Sequence, residues 1–337
     1  MASPAASSVI TALPETTDPL KIYTTIASLR SYRHPLLSTK SLGFVPTMGA
    51  LHAGHLSLIR TAAKENDSVA VSIFVNPAQF APTEDLAVYP RTLHTDVALL
   101  ESLNAEFSAD STTRGRIEAL FLPSVAEMYP HGIPLEENAQ RGAFVTVQPL
   151  AAKLEGITRP HFFRGVATVV AKLFNIVQPD IAYFGQKDVQ QSIILKRMVK
   201  DLHFPVQIRV CPTGREVDGL AMSSRNVYLG ERRRAIAPVL YQALRASEDE
   251  YRRLAAQGGT VDAKAVLAKG LELLQPGKDV PFEIEYFSLA DLQELEELGT
   301  VDPKKGAVLS AAVRMSPVEE GQGPVRLIDN IILEAEE

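Results

Sequence analysis

Two histidines three residues apart, His52 and His55, stand in the segment PTMGALHAGH (46–55), between an apolar run and a helix-like stretch. Gly49 and Gly54 let the backbone pass close to a ligand. Amide N–H groups at a helix start carry partial positive charge and suit phosphate, and imidazoles beside them can donate to charge developing there. A second group, FGQKD (184–188), also lies between a strand-like run and a helix. Its Lys187 is a compact cation suited to polyphosphate, and Asp188 can cap the helix that follows. A third, LAMSSRN (220–226), supplies the hydroxyls of Ser223 and Ser224 and the guanidinium fork of Arg225. A fourth differs: FVNPAQF (74–80) carries Asn76 and Gln79, and Gln191 follows Lys187 on the next helix. Amides donate and accept, which suits the carboxylate and hydroxyl of a small hydroxy acid. Taken singly, FGQKD fits a capped helix with a solvated lysine, LAMSSRN a polar loop, and Gln191 a surface residue. Together, backbone amides, His, Lys, Ser and Arg converge on negative charge.

These groups need a frame. LGFVP (42–46) reads as a buried strand, and GHLSLIRTAAKEN (54–66) as a helix with Leu56, Ile59 and Ala63 at helical spacing. SVAVSIFVN (68–76) reads as a second strand, completing a βαβ unit and predicting a parallel sheet. Residues 92–103 read as a helix and 118–122 as a strand. In GVATVVAKLFNIV (165–177), Val166, Val169, Val170, Leu173 and Val177 form one apolar face, and Pro179 stops the helix. A strand over 180–185, a helix over 188–200 and a strand over 206–211 follow. The alternation predicts a Rossmann-like, doubly wound parallel α/β domain over residues 18–213. Beyond it the texture changes. Helices over 231–256 and 260–275, then strands near 282–288, 307–314 and 325–333, predict a smaller C-terminal α+β domain over 214–337. Residues 1–17 read as a flexible tail, and 104–117 and 316–324 as polar surface loops.

Composition narrows the classes. The 337 residues are 46% apolar and 22% charged, which excludes a disordered, collagen-like or coiled-coil chain. Lys and Arg number 34 against 40 Asp and Glu, a net charge of −6 that opposes general nucleic-acid binding. The single cysteine, Cys211, excludes an intrachain disulfide and a cysteine-built zinc site. No run approaches the roughly 20 apolar residues of a membrane helix. The first residues have no basic stretch before a long apolar run, hold no Arg before Arg30, and carry Glu15 and Asp18. A cytoplasmic protein with no nucleic-acid or membrane partner is expected. The dinucleotide glycine fingerprint is missing, which weakens a dehydrogenase reading, and no catalytic triad or zinc-ligand set competes.

In PTMGALHAGH, SIFVNPAQF, YPRT (89–92), FRGVATVVAKLFNIVQPDIAYFGQKDVQQ and GLAMSSRNVYL, from about residue 43 to 230, and again in VRLIDN (325–330), the chain resembles the pantothenate synthetase family, the pantoate–β-alanine ligases. These are HIGH-type nucleotidyltransferases, and His52 and His55 fill the two signature positions. The resemblance implies a Rossmann-like domain with a C-terminal lid, a homodimer, and ATP-dependent condensation of pantoate with β-alanine through a pantoyl adenylate. It implies ATP contacts from Met48, Gly49, Ala50, Leu51, His52, Ala53, Gly54 and His55, from Gly185, Gln186, Lys187 and Asp188, and from Met222, Ser223, Ser224 and Arg225, with a backbone contact near Gly214. His52, His55 and Lys187 would be catalytic, His55 as the acid. Gln79 and Gln191 would hold pantoate beside Asn76, and Gln79 would also line the β-alanine site. ATP enters as substrate with Mg2+, whose region in the family lies near Asp96.

Two departures stand out. Gln186 replaces the family's usual Glu, and RPHFFRG (159–165) displaces a histidine by one position, so His161 takes no site role. Arg159 and Arg164 are expected to support the site from behind. Two other readings stay open: a nucleotidyltransferase that keeps the adenylyl group in its product, and a nucleotide-binding module without turnover. Gln79 and Gln191 argue against the first, and the intact His, Lys and Ser-Ser-Arg set against the second.

Overall fold

The structure, a computed structural model, describes residues 13–277 and 279–335; most of the expected tail, residues 1–12, lies outside them. The chain opens with β1 (Lys21–Tyr23) and α1 (Ile26–Arg33), neither expected from sequence. It then alternates through β2 (Leu42–Thr47), α2 (Ala53–Glu65), β3 (Ser68–Ile73), α3 (Leu93–Ala109) and β4 (Arg116–Phe121). The short helices α4 (Val125–Met128) and α5 (Glu155–Thr158) lead to α6 (Phe162–Val177), β5 (Ile181–Gly185), α7 (Val189–Asp201) and β6 (Gln207–Cys211). Among the described residues these strands form one six-stranded sheet, ordered β1-β4-β3-β2-β5-β6, with every pairing parallel.

After β2 the chain winds outward to β3 and β4; after α6 it returns to the other side of β2 for β5 and β6. The loops leaving β2 and β5 therefore diverge, and a crevice opens at their carboxyl ends. Helices cover both faces, and the central strands β2, β3 and β5 are accordingly almost wholly buried, while the edge strands β1 and β6 keep polar, exposed positions. Phe44 packs in one core with Phe163, Val166 and Val170 of α6, while Val45 packs in another with Ile59 of α2 and Leu100 of α3.

Two expectations are corrected here. Of the loop expected over 104–117 only residues 110–115 are a connection: α3 continues to Ala109 and β4 begins at Arg116. Leu100, Leu103 and Phe107 prolong a buried stripe, and the Asn104 amide meets the backbone N–H and C=O of Ile117 at 2.8 and 2.9 Å. β3 ends at Ile73, three residues early, because β2 offers no partner beyond Thr47.

The remainder begins with α8 (Gly230–Ile236) and α9 (Val239–Ala255). One helix was expected over 231–256, but Pro238 has no N–H to continue it. There follow β7 (Val261–Asp262), α10 (Ala263–Leu273), β8 (Phe282–Ala290), β9 (Thr300–Val301), β10 (Ala307–Met315) and β11 (Val325–Leu333). β11-β10-β8 make an antiparallel sheet, and Leu240, Leu244 and Val266 of α9 and α10 share its core with Leu309, Val313 and Leu327. Residues 316–324 are the connection between β10 and β11, the polar loop expected there. No helix among the described residues is long and apolar enough to cross a membrane.

Candidate active site

β2 leaves the sheet at Thr47, whose hydroxyl donates to Ser72 O at 2.7 Å and accepts the Gly49 amide at 3.1 Å. Gly49 and Ala50 have φ values of 84° and 50°, so the chain turns sharply through two left-handed residues. A Cβ on Gly49 would lie 3.1 Å from both Asp96 and Ile73, and glycine fits the conformation without strain. Asp96, buried on α3, anchors this turn. Its two carboxylate oxygens accept the Ala50 and Leu51 amides at 3.0 and 2.8 Å, and the Thr92 hydroxyl donates to it at 3.1 Å. Asp96 was expected near the magnesium site. With both oxygens committed to backbone donors, it does not fit as a metal ligand.

His52 caps α2 and His55 stands in its first turn. Nδ1 of His52 accepts the Gly54 amide at 3.2 Å, and Nδ1 of His55 accepts the His52 amide at 3.4 Å. A nitrogen that accepts carries no proton, so each neutral ring holds its hydrogen on Nε2. The ring centroids are 4.1 Å apart. Burial, then the charge of Lys187, lowers the His52 pKa from 6.5 to about 4. Burial, then His52 and Lys187, lowers that of His55 to about 3. The pair thus offers two neutral N–H donors.

Gly185 closes β5, and Gln186–Asp188 form a single tight turn before α7. The Lys187 ammonium stands 3.4 Å from the Asp188 carboxylate. The third segment folds back onto the first: Met222 N donates to Gly214 O at 2.9 Å, and Ser224 Oγ donates to Ala50 O at 3.1 Å. Ser223 accepts the Arg225 amide at 3.2 Å. The Arg225 fork, expected on phosphate, grips Asp85 at 2.9 and 3.0 Å.

Asn76 is buried, and its amide is fully engaged. Its oxygen accepts from Tyr129 OH at 2.7 Å, and its nitrogen donates to Gly165 O at 3.2 Å and to Gln79 Oε1 at 3.0 Å. It was expected to contact substrate; it lies in the lining of the same cavity as Gln79 and also positions Gln79. Gly165 allows α6 to press on this turn, since a Cβ there would lie 2.2 Å from Ala78 O. Gln79 turns its NH2 group toward Met48 Sδ at 3.4 Å, a weak acceptor, so its donors are available. Arg159 supports it from behind, donating to Gln79 O at 3.2 Å and pairing with Glu84 at 2.5 Å. Arg164 is turned to Gln140 at 2.5 Å, and His161 to Glu137 at 2.5 Å.

A cavity of about 240 Å³ is lined by His52, His55, Lys187, Ser224, Gln79 and Gln191, with Met48, Gly54, Gly185, Asp188, Gly214 and Met222 beside them. It shares Gln79, Lys187 and Gln191 with a wider cleft of about 570 Å³, whose far wall includes Arg326, Asp329 and Asn330 of β11. The last two were not expected at the site. The available signal was a polar pair inside an otherwise apolar strand, LIDNII. Among the described residues no three His, Cys, Asp or Glu side chains gather as a metal site.

Backbone amides at a helix start, two imidazole donors and a lysine at the switch point of a parallel sheet are the arrangement of a nucleotide-binding α/β enzyme. The profile of the family described as Pantoate-beta-alanine ligase matches residues 21–332, and the chain belongs to that family. It is 47% identical over 322 residues to the pantoate–β-alanine ligase of Saccharomyces cerevisiae, covering 93% of this chain and all of that one. It is 48% identical over 316 residues to the pantothenate synthetase of a Roseiflexus species, covering 94% of this chain and all of the relative. Among solved structures, pantothenate synthetase from Thermus thermophilus superposes with a TM-score of 0.75 at 42% identity, over 93% of this chain and 99% of that one. The Francisella tularensis ligase, complexed with beta-gamma ATP and β-alanine, gives 0.68 at 33% identity over 94% and 99%.

Proposed function

We propose that this chain condenses pantoate with β-alanine at the expense of ATP, giving pantothenate, AMP and pyrophosphate. Three segments remote in sequence bring His52, His55, Lys187, Ser223 and Ser224 to one crevice that also holds Gln79 and Gln191, and that convergence carries the assignment.

A carboxylate is a poor electrophile toward an amine. In the first step an oxygen of the pantoate carboxylate attacks the α-phosphorus of ATP; the bond to the bridging oxygen breaks and pyrophosphate leaves. The Nε2–H groups of His52 and His55, the HIGH-type pair, donate to the phosphates, and Lys187 offsets their charge. With Nδ1 accepting the His52 amide, His55 presents its Nε2–H to the phosphates as a hydrogen-bond donor, where the family resemblance implies an acid. Gln79, its oxygen held by Asn76, offers NH2 to the pantoate carboxylate, and Gln191 lies across the cavity. In the second step the β-alanine nitrogen attacks the acyl carbon of pantoyl adenylate, loses a proton, and expels AMP. Mg2+ accompanying ATP would offset phosphate charge; among the described residues no three His, Cys, Asp or Glu side chains stand together to hold it.

Residues 18–213 carry both substrates of the first step. Residues 214–337 form the lid that keeps water from the adenylate; β11 in the cleft wall supports that division. The chain acts as a cytoplasmic homodimer, as its family resemblance implies. The test is pantoate-dependent exchange of labelled pyrophosphate into ATP without β-alanine, followed by AMP release when β-alanine is added. Exchange that does not need pantoate, or full turnover without exchange, overturns the scheme.

A further inference from the structure

β11 lies at the free edge of the antiparallel sheet and reaches two phosphate segments with two adjacent residues. Asn330 donates through Nδ2 to Gln186 O at 2.8 Å and to Lys187 O at 2.9 Å, and its Oδ1 accepts from Gln186 Nε2 at 3.3 Å. Asp329 receives Arg215 Nη1 and Nη2 at 2.6 and 3.0 Å and the Asn330 amide at 2.8 Å. Arg215 in turn stacks on Tyr241 at 3.8 Å and bridges to Ala221, the residue before Met222. Asp329 and Asn330 are 3% and 1% exposed. Burying a carboxylate and an amide in an apolar strand is costly unless both are bonded. Here their side chains bond outward, to the Lys187 turn and to Arg215. An apolar pair would serve the sheet itself better.

Lys187 has a long flexible stem, and its ammonium meets Asp188 only at 3.4 Å, so its place in the crevice is set by the backbone of its turn. We infer that Asn330 is the positioning residue for Lys187, and that Asp329, through Arg215, positions the 214–225 segment opposite it. Gln186 belongs to the same clip, since a carboxylate in its place has no hydrogen to give Asn330 Oδ1. The inference rests on the proposed role of Lys187 at phosphate.

The variants that test it are Asn330→Ala, Asp329→Asn and Lys187→Ala, with each of the first two also combined with the third. Folding is followed by thermal unfolding and the first step by pyrophosphate exchange. A misplacement of about 1 Å costs on the order of 10²-fold in rate, so N330A is expected to lose about 10- to 100-fold in exchange while KM for β-alanine is unchanged. In the K187A background N330A should cost nothing further, because it acts through the lysine. D329N should cost as much with Lys187 as without, because it acts on the other segment. A loss from N330A that persists in K187A, or full exchange in folded N330A, overturns the Asn330 assignment. A D329N loss that vanishes in K187A overturns the Asp329 assignment. Should N330A not fold, Asn330→Asp keeps the shape but sets an oxygen against the two carbonyls; it is expected to show the same loss, and full exchange by N330D overturns the clip. If K187A itself exchanges normally, the role of Lys187 falls; if K187A is impaired and N330A is not, the clip alone falls.

Discussion

His52 and His55 spend the same ring atom, Nδ1, on the turn they share: one accepts from Gly54 and the other from the backbone of His52 itself. Structure and chemistry are thereby divided within each ring. The nitrogen that caps the helix fixes the tautomer, and the opposite nitrogen is left with a proton to donate.

That arrangement fixes a dependence on pH. In the fold the two rings have pKa values of about 4 and about 3, against 6.5 for a free histidine. Between those values the unfolded chain binds more protons, so stability rises with pH across the interval and is lost as pH falls below 6.5. His55→Asn is expected to flatten this slope. Urea unfolding midpoints of parent and variant, at about pH 7 and about pH 5, measure it; equal slopes would show that His55 is not held neutral.

Lys187→Ala should fold, because the side chain has only the 3.4 Å contact with Asp188 to lose. Loss of one preorganised donor costs about 10²–10³ in rate, and that loss is expected in pyrophosphate exchange at saturating ATP. Near-normal exchange by the folded variant contradicts the phosphate role.

Gln79→Ala is expected to weaken pantoate far more than ATP. An unpaired buried polar group costs on the order of 1–3 kcal/mol, roughly five- to 150-fold in affinity. Asn76→Ala should act in the same direction, since it releases the Gln79 oxygen held at 3.0 Å. Calorimetric titration of each ligand separates the two effects; equal losses for ATP and pantoate would refute the division of the site.

Asp96→Asn replaces one of two acceptors with a donor facing a backbone amide. The variant is expected to lose about 1–3 kcal/mol of stability and to raise KM for ATP, because the Ala50–Leu51 turn is no longer fixed. Excess Mg2+ should restore neither. Full recovery with Mg2+ would return Asp96 to the role of metal ligand.

The parallel sheet was legible because strands buried on both faces are rich in apolar and β-branched residues, as in SVAVSI and IAYFG. The extension of α3 was hidden by the polar text of NAEFSAD, although Leu103 and Phe107 keep the helical spacing of Leu100. The break between α8 and α9 is written in the sequence as Pro238 itself. β1, only three residues long, shows no pattern of its own. At the site, the convergence of the three segments on one crevice could be anticipated because two of them follow strand ends of a parallel sheet and all three are rich in donors. The commitments of Asp96, Asn76 and Arg225 could not, because burial and pairing are decided by distant neighbours: Asp85 lies 140 positions from Arg225.

The clip on Lys187 also has a consequence for how the protein is made, since Asn330 follows that lysine by 143 positions. Domains fold as units, N-terminal parts first during synthesis. The parallel sheet is complete at Cys211, and its histidines and lysine can be in place while β11 is still being translated. A nascent or prematurely terminated chain therefore has the reactive groups without the strand that orders them. On the proposed role of Asn330, β11, last of the described strands in chain order, supplies the contact that orders the Lys187 turn, so a chain halted before it would hold the lysine without that contact.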